Sequence, residues 1–156
     1  MTSRTLKATA PVPAADVIRL LGDDLAFASY ADDIVSVSDA GDGLRRWVLA
    51  FRGGTATWVQ RNRSQTGGPE PYRIEFEQVE GQFQRLEGAW TAVDLPDGCE
   101  IVFEVRYSTS VPHLAGAIDS AVGRVLVRCA HKIMSAVAGP VRITAGGHHL
   151  RDLATA

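Results

Sequence analysis

Hydrophobic and polar residues alternate at period two through the middle of the chain and recur every three or four residues near its ends. The alternation is clearest between Gly81 and Tyr107. Leu86, Gly88 and Trp90 fall on one side of a strand, as do Ile101, Phe103, Val105 and Tyr107 on the next, and Pro96-Asp97-Gly98 supplies the turn between them. The pattern predicts an antiparallel hairpin. Large aromatics around a glycine on one sheet face either leave room for a flat ligand or pack as ordinary core. Upstream, Ile34, Val35 and Val37 open a strand that turns at residues 39–43. Trp47, Leu49 and Phe51 share a side of the next, and Gly53-Gly54 turns into a strand over 55–64. After Gly67-Gly68-Pro69, Tyr72, Ile74 and Phe76 alternate with Arg73, Glu75 and Glu77.

The ends read differently. A first strand over 5–12 gives way at Pro13, a residue suited to open a helix, and apolar spacing predicts that helix over 14–21 with Gly22 as its stop. A second short helix is predicted over 24–29 with Asp23 as its cap. Between Pro112 and Gly139, Leu114, Ile118, Val122, Val125, Cys129, Ile133 and Val137 recur at helical spacing, opposite Arg124, Arg128 and Lys132. Residues 141–144 suit a short extended piece and those from 146 onward read as weakly ordered. Helices segregated from a run of antiparallel strands define an α+β fold of six to seven strands, with residues 1–140 as one domain and 141–156 as a tail. A sheet this long curls, and the last helix must bury its stripe on the concave face. That arrangement predicts an enclosed cavity.

Composition narrows the partners. With 156 residues, 46% hydrophobic, 22% charged and a formal net charge of −2, the chain reads as one globular domain without the basic surface of a nucleic-acid binder. Cys99 and Cys129 lack metal-ligand spacing and read as free thiols of a reducing, cytoplasmic compartment. The first residues do not form a secretory signal, and no run is long enough for a membrane span. His148-His149 is a solvated pair rather than a metal site, and His113 and His131 have no triad partners in view. Glu75, Glu77 and Glu80 read as a solvated strand face. Gly41-Asp42-Gly43 opens a strand, so it is a hairpin turn rather than a dinucleotide loop.

Several motifs together resemble the START-like, or SRPBCC, helix-grip superfamily, and within it the single-domain polyketide aromatase/cyclases. They are Ala10-Pro11-Val12-Pro13 before a helix, Tyr30-Ala31-Asp32-Asp33-Ile34 before the second strand, the strand pair Trp58-Val59, and Val79-Glu80-Gly81-Gln82-Phe83 followed by Leu86 and Trp90. Gly98-Cys99-Glu100 and Phe103 continue the likeness, which spans about residues 5–138. The resemblance implies a helix-grip fold and a cofactor-independent, metal-free enzyme. Such an enzyme holds a poly-β-ketone, tethered to an acyl carrier protein, in an apolar cavity and directs aldol cyclisation with dehydration. The alternative is a non-catalytic carrier of an isoprenoid, lipid or aromatic molecule. Either would be a monomer or a homodimer.

The same resemblance suggests roles. Tyr30 matches the family's pocket tyrosine and would donate a hydrogen bond to a carbonyl. Trp58, Gln60 and Asn62 share a strand face. The family's mechanistic arginine falls at Asn62, an amide that donates a hydrogen bond without a full charge. A bulge could turn Arg61 or Arg63 inward in compensation. Trp58 and Trp90 would grip the chain, Gln60 would orient carbonyls, and Tyr72, Phe76, Leu86 and Phe103 would complete the walls. Arg124 or Arg128 would meet acidic residues of the carrier.

Overall fold

Period-two alternation becomes eight strands and the helical spacings become three helices in the computed structural model, which describes residues 1–52, 54–65, 68, 71–109, 115–148 and 150. Gly53, Gly67, Pro69, Pro112, His113, Leu114 and His149, named above, lie outside the described residues. The elements run β1 (Thr2–Ala10), α1 (Ala14–Leu21), a 3-10 turn (Asp24–Ala26), α2 (Phe27–Tyr30), β2 (Ile34–Gly41), β3 (Leu44–Phe51) and β4 (Gly54–Gln65). They continue with β5 (Tyr72–Gly81), β6 (Phe83–Leu95), β7 (Gly98–Thr109), α3 (Ala115–Ala138) and β8 (Arg142–Ala145). All strands join one antiparallel sheet in the order β2-β3-β4-β5-β6-β7-β1-β8. This is the α+β helix-grip fold.

Two differences from the sequence reading are local. The sheet has eight strands rather than six or seven, because residues just past 140 pair with β1. The predicted helix over 24–29 splits into the 3-10 turn and the single turn α2. Asp23 makes no side-chain cap there, and its neighbour Asp24 turns inward instead.

The long helix α3 packs on β1 and β7 and meets α1 and α2 at its side. Val122, Val125, Cys129, Ile133 and Val137 are buried along it, as the spacing predicted, joined by Leu126, Val127, Ala130 and Met134. On the sheet, Leu6, Ile101, Val105 and Tyr107 are fully buried beneath it. Each such aliphatic side chain contributes about 1.5–3 kcal/mol by leaving water. Helix α1 lays Val17, Ile18 and Leu21 against β5 and β6, and the Asp94 carboxylate of β6 accepts the Ala14 N–H at 2.9 Å. That bond satisfies a backbone donor that Pro13, which has no capping side chain, cannot. Among the described residues no helix is long and apolar enough to cross a membrane.

Register decides which side chains face α3. The pairings Trp90↔Phe103, Gly88↔Val105 and Leu86↔Tyr107 place the hairpin's apolar set on the concave face. Between β4 and β5 the partner of Val59 is Glu80 and that of Gln60 is Gln78, so the extra residue, Val79, belongs to β5. β4 therefore keeps its alternation: Trp58, Gln60 and Asn62 point in, and Arg61 and Arg63 are exposed. No bulge turns an arginine inward.

The space over Gly88 is not free. A Cβ there would lie 2.3 Å from the Glu104 carbonyl oxygen and 2.6 Å from the Phe76 ring. Phe76 in turn stacks on Phe103 at 6.2 Å. The glycine admits a neighbouring ring, not a ligand. Gly88→Ala is expected to lower folding stability by about 1–3 kcal/mol, read as a lower midpoint in urea with an unchanged slope.

Candidate ligand-binding hollow

Between the concave face and α3 the aromatic side chains leave a hollow of about 50 Å³. Phe27, Trp47, Trp58, Phe76, Trp90 and Phe103 supply its aromatic walls, and Leu126, Cys129, Ala130 and Ile133 of α3 close it. The rings fill most of the curve. Trp47 stacks on Trp58 at 5.5 Å with 14° between planes, Phe27 meets Trp47 and Trp90 edge-on at 6.0 and 6.3 Å, and Trp90 lies 4.8 Å from Phe103. The roomy cavity expected from the sequence is thus largely occupied by its own walls. The remaining volume suits a few waters, well short of the roughly 300–1,000 Å³ of drug-sized ligand sites.

One wall is polar, and it is directional. The Trp58 Nε1–H donates to Gln60 Oε1 at 2.9 Å, Gln60 Nε2 donates to Asn62 Oδ1 at 2.8 Å, and Asn62 Nδ2 donates to Asp24 Oδ2 at 2.7 Å. The other carboxylate oxygen, Asp24 Oδ1, accepts from Arg45 Nε at 3.0 Å. An indole can only donate and a carboxylate can only accept, so the two ends force both amides into one orientation. Each amide nitrogen then keeps a second N–H. Asp24 and Gln60 are the buried polar side chains here, 3% and 4% exposed, and both line the hollow together with Asn62. The Trp47 indole nitrogen, also in the lining, is buried with no hydrogen-bond partner among the described residues.

The structure thus gathers Trp58, Gln60, Asn62, Phe76, Leu86, Trp90 and Phe103 around the hollow. Tyr30 and Tyr72 stand apart from it. Phe27, one turn earlier on the same face of α2, takes the inward position, and the half-buried Tyr30 ring packs beside it at 6.4 Å. Tyr72 lines a surface groove with Ile18, Arg19 and Ser64. Sequence reasoning missed Asp24 and Arg45. The signal for Arg45 was present, since it shares the period-two face of Trp47 and Leu49; for Asp24 there was none, because a two-turn helix predicts no facing for one aspartate. Of the two arginines expected on the outer side of α3, Arg124 is exposed, while Arg128 is bound to Asp33 through Nη2 at 2.6 Å and Nε at 2.8 Å. Among the described residues no three His, Cys, Asp or Glu side chains converge to hold a metal ion.

Cys129 adds a thiol to the lining. Burial, reinforced by the charge of Asp33, pushes it up from an ordinary value of 9.0 to about 12, and burial with the charge of Asp94 raises Cys99. Neutral thiols are poor nucleophiles.

Residues 11–134 match the family described as polyketide cyclase / dehydrase and lipid transport. No curated protein matches the chain by sequence. Among solved structures it is similar to the protein TTHA0849 from Thermus thermophilus, at 21% identity and a TM-score of 0.74 over 99% of both chains. It is also similar to the Zhui aromatase/cyclase from Streptomyces sp. R1128, at 20% identity and a TM-score of 0.70 over 97% of this chain and 95% of that one. A START superfamily protein from Mycobacterium smegmatis follows, at 16% identity and a TM-score of 0.67 over 87% and 95%. At these identities the likeness is one of fold.

Two measurements check the site as described. Arg45→Met leaves the Asp24 carboxylate buried without its cation and is expected to cost about 1–3 kcal/mol in urea unfolding. For the thiols, the raised folded values mean that the unfolded chain releases these protons first as pH rises. Their contribution to stability is therefore complete below pH 9.0 and is lost at higher pH, for Cys129 as pH climbs toward about 12. A disulfide-exchange reagent at pH 8 is expected to leave both cysteines intact in the native protein and to modify both in denaturant.

Proposed function

Because the chain belongs to the polyketide cyclase/dehydrase and lipid transport family, we propose that it binds a carrier-tethered poly-β-ketone in the hollow and directs an aldol closure followed by loss of water. The observation that carries this reading is a polar wall that offers donors. Trp47 has an indole N–H without a partner among the described residues, and Gln60 and Asn62 each hold one N–H in reserve. A ligand rich in carbonyl oxygens supplies the matching acceptors, and an otherwise apolar surround strengthens each bond. When an enol carbon attacks a ketone, a carbon–carbon bond forms and charge moves onto the ketone oxygen. Preset amide and indole donors favour that charge with little reorganisation.

The guest exceeds the resting volume, so its entry requires the rings and α3 to move apart. The helix side of the hollow is built from the apolar side chains of Leu126, Ala130 and Ile133 with the neutral thiol of Cys129, while the bonds of the polar wall run among Trp58, Gln60, Asn62 and Asp24. Separation there breaks apolar contacts and leaves the donor string intact. Arg124 remains exposed for the acidic surface of a carrier.

The test is a reconstituted synthase of ketosynthase pair, carrier protein and this chain. The expected result is a shift of the products toward one ring pattern, and Asn62→Leu is expected to slow formation of that product by about 10²-fold. An identical product mixture with and without the chain would overturn the proposal. A second reading, a carrier of a finished aromatic or lipid, is favoured by one observation: an amide rather than a guanidinium occupies position 62 inside the hollow. It predicts saturable heat on calorimetric titration with an aromatic product and no change in ring pattern.

A further inference from the structure

We propose that Asp24 is the proton acceptor of the hollow, the group that removes a proton from the methylene between two carbonyls and later returns it. The assignment rests on the carbonyl-binding reading above. A carboxylate on a one-turn 3-10 element is buried to 3% exposure in a wall otherwise built of rings and amides, and it lines the hollow itself. It is the only carboxylate among the described residues of that lining.

Its two hydrogen bonds hold it without exhausting it. Arg45 Nε occupies one oxygen and Asn62 Nδ2 the other, at 3.0 and 2.7 Å. A carboxylate has about four acceptor positions, so each oxygen keeps a lone pair. The rotation of the group is set from two strands, β3 through Arg45 and β4 through Asn62, which is the fixed geometry a base requires.

The charge balance also suits the step. With a neutral β-dicarbonyl bound, the buried charge of Asp24 is met by the half-buried Arg45, whose Nη1 also lies 3.8 Å from the exposed Asp39 carboxylate. In the transfer a methylene C–H bond breaks, its proton goes to an Asp24 oxygen, and its electron pair moves through the carbon to the neighbouring carbonyl, giving an enolate. Asp24 is then neutral, and Arg45, which pairs with Asp24 but is not part of the hollow's lining, keeps its positive charge. Negative charge has moved from Asp24 to the bound guest with no net charge created in a low-dielectric site. Asn62 bridges the two positions. One of its N–H groups donates to Asp24, and the second is available to the enolate oxygen that forms. When the enolate carbon attacks a further carbonyl, the proton on Asp24 returns to the new alkoxide. No oxidant, metal or co-substrate enters the balance.

A purely structural role is the competing account: Asp24 would only tie the 3-10 turn to β3 and β4. Ethyl benzoylacetate, an aromatic β-keto ester, separates the two in deuterated buffer. NMR reports binding through chemical-shift changes and reports proton abstraction through deuterium uptake at the central methylene. The expected result is uptake that the native protein accelerates saturably, with half-saturation matching the binding curve. Asp24→Asn is expected to lower the accelerated rate by about 10²-fold or more with affinity within a few-fold, and Asp24→Glu to restore part of it. Unchanged uptake in Asp24→Asn with binding intact would overturn the assignment and leave the carbonyl-binding reading standing. Absence of saturable binding to the native protein would overturn both. If Asp24→Asn does not fold, the double variant Asp24→Leu with Arg45→Met, which removes the buried carboxylate together with its cation, decides. Uptake at the native rate in that variant with binding intact overturns the assignment, and a loss of about 10²-fold or more supports it.

Discussion

A carboxylate withdrawn from water must be met by donors, and in this molecule that requirement organises the functional wall. Asp24 can remain buried only because Arg45 arrives from β3 and Asn62 from β4. Those two strands are held in register by their own ladder, in which Arg45 pairs with Gln60 and Trp47 with Trp58. The register, the inward turn of the 3-10 element and the order of hydrogen bonds back to Trp58 are therefore one constraint seen at three scales. Loosening any member exposes or orphans another. A string with a donor-only indole at one end and an acceptor-only carboxylate at the other has a single polarity, and that polarity gives the wall its spare N–H groups.

Around this wall the fold is economical with space. Six aromatic side chains and the face of α3 close most of the curve that an eight-stranded sheet would otherwise leave open. Packing of this kind stabilises the resting state and also sets what a guest must displace. The rings are held chiefly by edge and stacking contacts, which can be exchanged for equivalent contacts with a planar guest. The polar string cannot be exchanged so cheaply. It is the part of the hollow expected to keep its shape.

Most of the architecture could be read from periodicity, because strands and an amphipathic helix declare their faces one residue at a time. The inward set Leu86, Trp90, Ile101 and Phe103 is where alternation put it, and α3 buries the stripe its spacing announced. The extended piece over 141–144 was legible, but its place in the sheet was not, because four residues after a Gly-Pro break carry too little alternation to show their pairing with β1. Within the candidate site, the strand residues Trp58, Gln60 and Asn62 were legible for the same reason of alternation. Asp24 was not. Its direction is set by contacts with β3 and β4 that are distant in sequence, and a short 3-10 turn has no period long enough to reveal a face. Tyr30 shows the same limit in reverse: a motif at a junction identifies the residue but not which of two rings in a single helical turn faces inward.

The molecule contains three tryptophans, Trp47, Trp58 and Trp90, and all of them stand in the wall of the hollow. Its indole emission therefore comes from one place, with two of the emitters stacked face to face. Light absorbed by this protein near the red edge of its ultraviolet band is a local signal by construction. A guest that parts those rings changes the environment of every indole in the chain at once, so the protein carries its own optical gauge of occupancy.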